Sequence, residues 1–499
     1  MTLKTSSKIN LNREPIKLEV RDSIFINLTR SICPVCKITI DAEVNVKENK
    51  VYMRKRCPEH GWFEALIFSD YEMYRDFERY NKPGDIPLEF QTSVSKGCPS
   101  DCGLCPEHKQ HTCLAIMEIT EMCNMKCPVC FASSGPVKGL HNKTMEEINS
   151  MIGTLERSEG VASVIMISGG EPTVHPNFLG IMQRLQEAKV KKIIINSNGL
   201  KFANSEQLCQ DLADIGDNIS IYLQFDGFDS KIHEYIRNDP ELLPKKLQAI
   251  KNLSKYKIGI NLVMTVQKGI NDHEIGKVVK FMHETPAIGG LSLQPFFAEG
   301  RYTDYDPMDH TTMPDVIKAI VDQTENMYEK SDFFPIPCPY PHCSAITFSY
   351  NDPETNEFFT IPRLVNVENY LDFFRNTIMP DFNEELMDAL TSIFSFSTVS
   401  GTHDMIEGFC NACGIEFNFD EVQDTLGHYL ENVKMITIKP FMNSWDFDVR
   451  RIMKCCVHQV TEDNKLIPFC AYNTIYREQY QSQSMRISLD VLPKSNGDK

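Results

Sequence analysis

The sequence predicts an α/β fold: a partial TIM-type (βα)6 barrel with a metal-binding ribbon before it and an auxiliary metal domain after it. Three observations predict this. Between Leu114 and Phe296, short apolar runs of strand length alternate with amphipathic runs of helix length. Before that stretch lie paired cysteine knuckles joined by alternating apolar and polar residues. After Arg301 the periodicity gives way to Pro- and Phe-rich sequence with further cysteines. The expected zones are a ribbon over 1–95, a cysteine-rich loop over 96–114, a barrel core over 115–305 and a C-terminal auxiliary domain over 306–499.

Within the core, LAIMEIT, VASVIMIS, VKKIIINS, NISIYLQF, IGINLVMTV and GGLSLQPF read as six strands. KTMEEINSMIGTLERS, NFLGIMQRLQEA, SEQLCQDLADI, ELLPKKLQAIKNLSKY and DHEIGKVVKFMHE read as the helices between them. That alternation implies a parallel sheet with right-handed crossovers, and such sheets carry their chemistry at the carboxyl ends of the strands. Beyond the core the pattern supports helices near Met313–Lys330 and Asn383–Ser395.

The chain has 499 residues, 42% of them hydrophobic and 24% charged, enough to bury a large core. Its 51 Lys and Arg against 68 Asp and Glu give a net charge of −17. That balance argues against nucleic acid as a partner and against sequence-wide affinity for anionic membranes. No run reaches the roughly 18–20 apolar residues that span a bilayer, and the polar N-terminus lacks the apolar core of a secretory signal. A cytoplasmic protein is expected, with any membrane contact peripheral.

In a reducing compartment, 18 cysteines in close-spaced groups read as metal thiolates. Cys33, Cys36, Cys57 and His60 give C-x2-C and C-x2-H knuckles for zinc or a mononuclear iron. Cys98, Cys102, Cys105 and Cys113 supply four thiolates to a [4Fe–4S] cube or a rubredoxin-like iron. His108 and His111 beside them read as solvated loop residues. Downstream, Cys338, Cys343, Cys410, Cys413, Cys455, Cys456 and Cys470 offer more thiols than one site needs; one auxiliary [4Fe–4S] cluster is expected, anchored by Cys410 and Cys413 with Cys455 and Cys470 as partners. Cys209, on a helical pattern, reads as a small buried hydrophobe.

The chemistry centres on EMCNMKCPVCFA, directly after the first core strand. Cys123, Cys127 and Cys130 form C-x3-C-x2-C, three thiolates able to hold three irons of a cube and leave the fourth open. The second strand ends in Gly169, Gly170, Glu171 and Pro172; glycines admit close backbone approach, and free strand-end groups can bind an ammonium. Asn196, Ser197 and Asn198 end the third strand, Gln224 and Asp226 the fourth, and Thr265 the fifth. These polar groups either reach a ligand's hydroxyls or cap the following helices.

This spacing resembles the radical S-adenosylmethionine (SAM) superfamily. The wider set, from CPVC and CPEHG through GCPSDCGLCPEHKQHTC to PCPYPHCSA, IPRLVNV and KCCVHQVTEDNKLIPFCAYN, resembles its tetraether lipid synthase-like branch, also described as dihydropterin methyltransferase-like. The resemblance implies a barrel of the radical SAM type and an Fe–S auxiliary domain. It implies SAM chelated to the open iron, the GGE segment on the methionine amino group and Val129 beside the adenine. It further implies one catalytic and one or two auxiliary [4Fe–4S] clusters, plus one rubredoxin-like iron or zinc.

The expected reaction is cleavage of SAM to a 5′-deoxyadenosyl radical and hydrogen abstraction from an unactivated carbon, with a ferredoxin or flavodoxin as reductant. The leading expectation for the substrate is an isoprenoid lipid tail, two of which would be coupled through terminal methyls. Methylation of a dihydropterin or similar heterocycle is the alternative, and a multi-cluster electron carrier the non-enzymatic one. FFRNTIMP and ELMDALTSIFSFS could line an apolar tunnel, and Arg301, Arg363, Lys439, Arg450 and Arg451 could meet headgroup phosphates.

Overall fold

The computed structural model describes residues 22–136, 141–302, 304–351, 358–364, 366–377 and 432–481. Cys410, Cys413, the 383–395 helix and the ELMDALTSIFSFS run lie outside the described residues. The ribbon is a four-stranded antiparallel sheet in the order β1 (Ile24–Ile32), β2 (Thr39–Lys47), β3 (Lys50–Cys57), β4 (Gly61–Phe68). Its alternation is strict in β3, where Val51, Met53, Lys55 and Cys57 turn inward and Arg54 and Arg56 outward.

The core sheet carries six parallel strands: β5 (Leu114–Thr120), β6 (Val164–Gly169), β7 (Lys192–Ser197), β8 (Ile219–Gln224), β9 (Gly259–Val266) and β10 (Ile288–Pro295). Helices α2 (Met145–Glu159), α3 (Phe178–Glu187), α5 (Glu206–Ile215), α7 (Leu242–Lys255) and α8 (Ile275–Glu284) fall where the periodicity places them; α1 (Tyr71–Phe77) leaves the ribbon. Two short helices were not legible, α4 (Leu200–Asn204) and α6 (Ser230–Arg237). α2 starts at a capping box, Thr144 with Glu147, and buries Ile148, Met151, Ile152 and Leu155 against the sheet. Each such side chain stabilises by about 1.5–3 kcal/mol.

α9 (Met313–Gln323) is shorter than the run to Lys330 suggested, because Glu325 and Asn326 take positive φ (56° and 61°) and end the helix. The C-terminal zone then returns to the core sheet at both edges. β14 (Val433–Ile438) lies parallel to β10 and β15 (Val457–Val460) parallel to β5. β11 (Phe334–Pro335), β12 (Ala345–Asn351), β13 (Phe358–Thr360) and β16 (Leu466–Pro468) extend those edges antiparallel. Among the described residues, no helix is long and apolar enough to cross a membrane.

Candidate functional site

The loop after β5 is gripped from two sides. On one, Gly170 N–H donates to Thr120 O and Glu171 N–H to Met122 O, both at 2.8 Å. A Cβ on Gly169 would stand 2.2 Å from Thr120 O, and one on Gly170 2.1 Å from Met122 O. These glycines therefore admit the neighbouring backbone, a demand that the sequence did not show. On the other side, Gly300 (φ +77°) leaves no room for a Cβ against Cys130 O, and Arg301 donates to Cys127 O at 2.6 Å and, through its N–H, to Cys130 O at 3.2 Å. Arg301 thus clamps the cysteine loop and is not a free headgroup cation.

Cys123, Cys127 and Cys130 face a cavity of about 460 Å³ enclosed by the core strands. Burial, together with the Glu171 carboxylate and the other two thiols, pushes the Cys123 thiol up to about 12. Three cysteines of one loop on the wall of a cavity suit an iron cluster with one open corner.

Val129, 8% exposed, lines the cavity and packs on Ile232 and Ile236 of α6. Gly169, Gly170, Glu171, Asn196, Ser197, Asn198, Gln224 and Thr265 also line it; Pro172 and Asp226 do not. Glu171 is 1% exposed and accepts from Thr173 Oγ1 (2.6 Å), Ser197 Oγ (2.8 Å) and the N–H of Asn198 (2.7 Å). Its carboxyl, held above the usual range by burial, ties the ends of β6 and β7 together.

Asp226 is fully buried under the Arg237 guanidinium, at 2.6 and 2.9 Å. Arg237 also donates to Gln224 Oε1 at 3.1 Å and lies beside the Cys127 thiol. Lys246, held at about 8 by burial, donates to Asn198 O and lines the same cavity. Sequence reasoning missed both cations. A signal existed for Lys246, which interrupts the apolar stripe Leu242, Ala249, Ile250, Leu253 of α7.

In the ribbon, the ligand atoms of Cys33, Cys36, Cys57 and His60 all lie within 4.8 Å of one another, as their spacing suggested. The Cys98 group is different. Cys102 stands with Cys98 and Cys105, its thiol raised by a hydrogen bond with Cys98, by burial and by the charges of both, whereas Cys113 leaves them for Cys338 and Cys456, all three sulfurs within 4.8 Å. The reason is the pairing of β15 with β5, by which the N–H groups of Cys113 and Leu114 both donate to Cys456 O at 3.0 Å. Cys456 was passed over in favour of its neighbour. The Cys455 thiol is raised by burial and by the charges of Cys456, Cys470 and Cys343. Cys343 Sγ accepts from Arg451 Nε at 3.3 Å and Cys470 Sγ from Met442 N at 3.4 Å. Cys209 is fully buried, as expected.

Two further expectations are corrected. His108 is buried against His458 and Cys455 O, and His111 binds Glu159 at 2.8 Å, so neither is a solvated loop residue. Arg363 and Arg450 are engaged by Asp332 and Asp448, and Arg451 also holds Pro440 O; of the proposed headgroup cations, only Lys439 lines the cavity.

Residues 117–282 match the family model of the radical SAM superfamily, and residues 25–69 that of the HMPTM N-terminal zinc ribbon domain. The chain is 30% identical over 487 residues to 7,8-dihydro-6-hydroxymethylpterin dimethyltransferase of Methanocaldococcus jannaschii, covering 91% of this chain and 95% of that protein. It is 31% identical over 173 residues to a probable GTP 3′,8-cyclase of Pyrococcus horikoshii, covering 34% of this chain and 53% of the cyclase. A looser likeness, 16% identical, is to the crystal structure of Streptococcus suis SuiB bound to S-adenosylmethionine, covering 44% of this chain and 48% of that one at a TM-score of 0.35, too low to argue from. From the cysteine loop, the barrel, the ribbon and a relative matched nearly end to end, the chain is a radical SAM enzyme and belongs to the dihydropterin methyltransferase-like family of that superfamily.

Proposed function

We propose that this enzyme methylates a dihydropterin or a similar nitrogen heterocycle. The observation that carries the reading is the 30% identity sustained over 91% of the chain to a dihydropterin dimethyltransferase. The cavity lining agrees with it. Gln294, Asn261, Ser292 and Tyr222 present amides and hydroxyls of the kind that pair with the edge of a flat heterocycle. Lipid-tail coupling has no support among these relatives.

In this reading Cys123, Cys127 and Cys130 hold the catalytic [4Fe–4S] cluster. SAM bound there would supply the 5′-deoxyadenosyl radical, and a second SAM molecule would supply the methyl group. Arg301 and the Gly169–Gly170 contact hold the loop in register, while Val129, Asn196, Asn198, Gln224 and Thr265 frame the nucleoside. Phe131, Phe297, Phe441 and Phe469 pack edge to face or tilted along one wall and exclude water from the reacting carbon. The ribbon cysteines with His60, and the Cys113, Cys338 and Cys456 group, hold auxiliary metals. The enzyme needs a reductant, for which a ferredoxin or flavodoxin is suited.

The test incubates anaerobically reconstituted protein, SAM and dithionite with 7,8-dihydro-6-hydroxymethylpterin or with diether phospholipid. Mass spectrometry should find a pterin heavier by one or two methyl groups, with 5′-deoxyadenosine formed alongside. Joined lipid chains and unmodified pterin would overturn the reading.

A further inference from the structure

TIM-type barrels fill their interior with layers of bulky side chains. This barrel does not. The inward positions of its core strands form a polar ring at the carboxyl end, among them Asn196 and Gln224, above an apolar ring that includes Ile194 and Met166. The same continuous cavity then reaches the amino ends of the strands, where the lining residues are Lys192, Ser220, Gly259 and Gly289.

Local geometry does not demand the two glycines. A Cβ on Gly259 would meet nothing closer than 3.7 Å and one on Gly289 nothing closer than 4.0 Å, and neither has a positive φ. What the missing side chains leave is an opening, since both glycines are exposed to solvent while lining the cavity. At its lip, Lys192 has no carboxylate within 4.0 Å among the described residues. Burial lowers its affinity for a proton, and the charge of Asp217 opposes that only in part. Lys192, Ile194 and Asn196 line the cavity from successive inward positions of β7, so the lysine Cα stands about 13 Å below that of Asn196.

We propose that the barrel is bored through to a second mouth, where Lys192 binds an anionic group, phosphate or carboxylate, carried on an arm at the far end of the substrate. The inference rests on the heterocycle reading for the reacting end only. A substrate whose ring lies at the cysteine loop and whose arm passes the apolar ring brings its anion to an amine with no ion-pair partner among the described residues, and that pairing is a charge-assisted hydrogen bond.

The test is calorimetric binding to the anaerobic holoenzyme with SAM present. One ligand pair is 7,8-dihydro-6-hydroxymethylpterin and its diphosphate ester; the other, free of any pterin, is octanol and octyl phosphate. Wild type should favour the phosphorylated member of each pair by about tenfold. Lys192→Met should bring each pair within twofold, Lys192→Arg should keep the preference, and Gly259→Val should weaken octyl phosphate by blocking its exit. Failure of both pterins to bind, with octyl phosphate still favoured through Lys192, would overturn the heterocycle reading and leave the second mouth standing. Equal binding within both pairs in wild type, or a preference that survives Lys192→Met, would overturn the second mouth.

Discussion

Arg237 and Lys246 put two positive charges beside Cys127 in a chain whose net charge is −17. Asp226, fully buried, is the counter-charge that lets a guanidinium remain there. Removing one partner of a buried pair leaves the other desolvated and uncompensated, at a cost of about 3–5 kcal/mol. Asp226→Asn should therefore lower the unfolding free energy by that order in chemical denaturation. It should also reduce the iron retained at the cysteine loop, because Asp226 fixes Thr265 N–H (3.2 Å) as well as Arg237. A change below about 1 kcal/mol would show that the pair is relaxed by solvent. At this scale, the sequence marked Asp226 as polar at a strand end but gave no means of knowing that it faces a helix and not the cavity.

At the scale of elements, strand pairing reassigns cysteines that linear spacing had grouped. Cys113 is eight residues from Cys105 yet joins Cys338 and Cys456, because the β5–β15 ladder carries it there. Its thiol lies 2.7 Å from that of Cys338. Cys113→Ala should thus lose the same metal complement as Cys338→Ala, and Cys102→Ala a different one. Iron, zinc and sulfide analysis with Mössbauer spectra of the three variants checks this; matching losses for Cys113→Ala and Cys102→Ala would restore the linear grouping. The knuckles of the ribbon needed no such correction, since Cys33, Cys36, Cys57 and His60 lie on two turns of one small sheet whose strands are neighbours in sequence.

For the whole molecule, acid stability is set partly by histidines that fold in the neutral form. His283, on α8, is 8% exposed, shares a 2.8 Å hydrogen bond with Tyr328 OH, and is held at about 4 by burial, with Lys434 adding to the effect. Unfolded, it takes up a proton near 6.5. Between those values the unfolded chain binds more protons, so stability is intact above about 6.5 and is lost as pH falls toward 4, by up to about 3 kcal/mol. His283→Gln should flatten that slope in urea midpoints measured from pH 7 to pH 5; an unchanged slope would remove His283 from the account.

By itself the sequence determined the alternation of six strands with their helices, the ribbon knuckles and the three-cysteine loop with GGEP on the next strand end. These are local: strand and helix periods, and ligand spacings within one turn, are written in neighbouring residues. Only the tertiary structure decided that Gly169 and Gly170 serve the Thr120 and Met122 backbone, that Glu171 is spent on Ser197 and Asn198, that Arg237, Lys246 and Arg301 surround the loop, and that β14 and β15 close on the two edges of the barrel. Those facts depend on contacts between segments tens to hundreds of residues apart or on which way a strand-end side chain turns, and burial fixes both only once the whole core has packed.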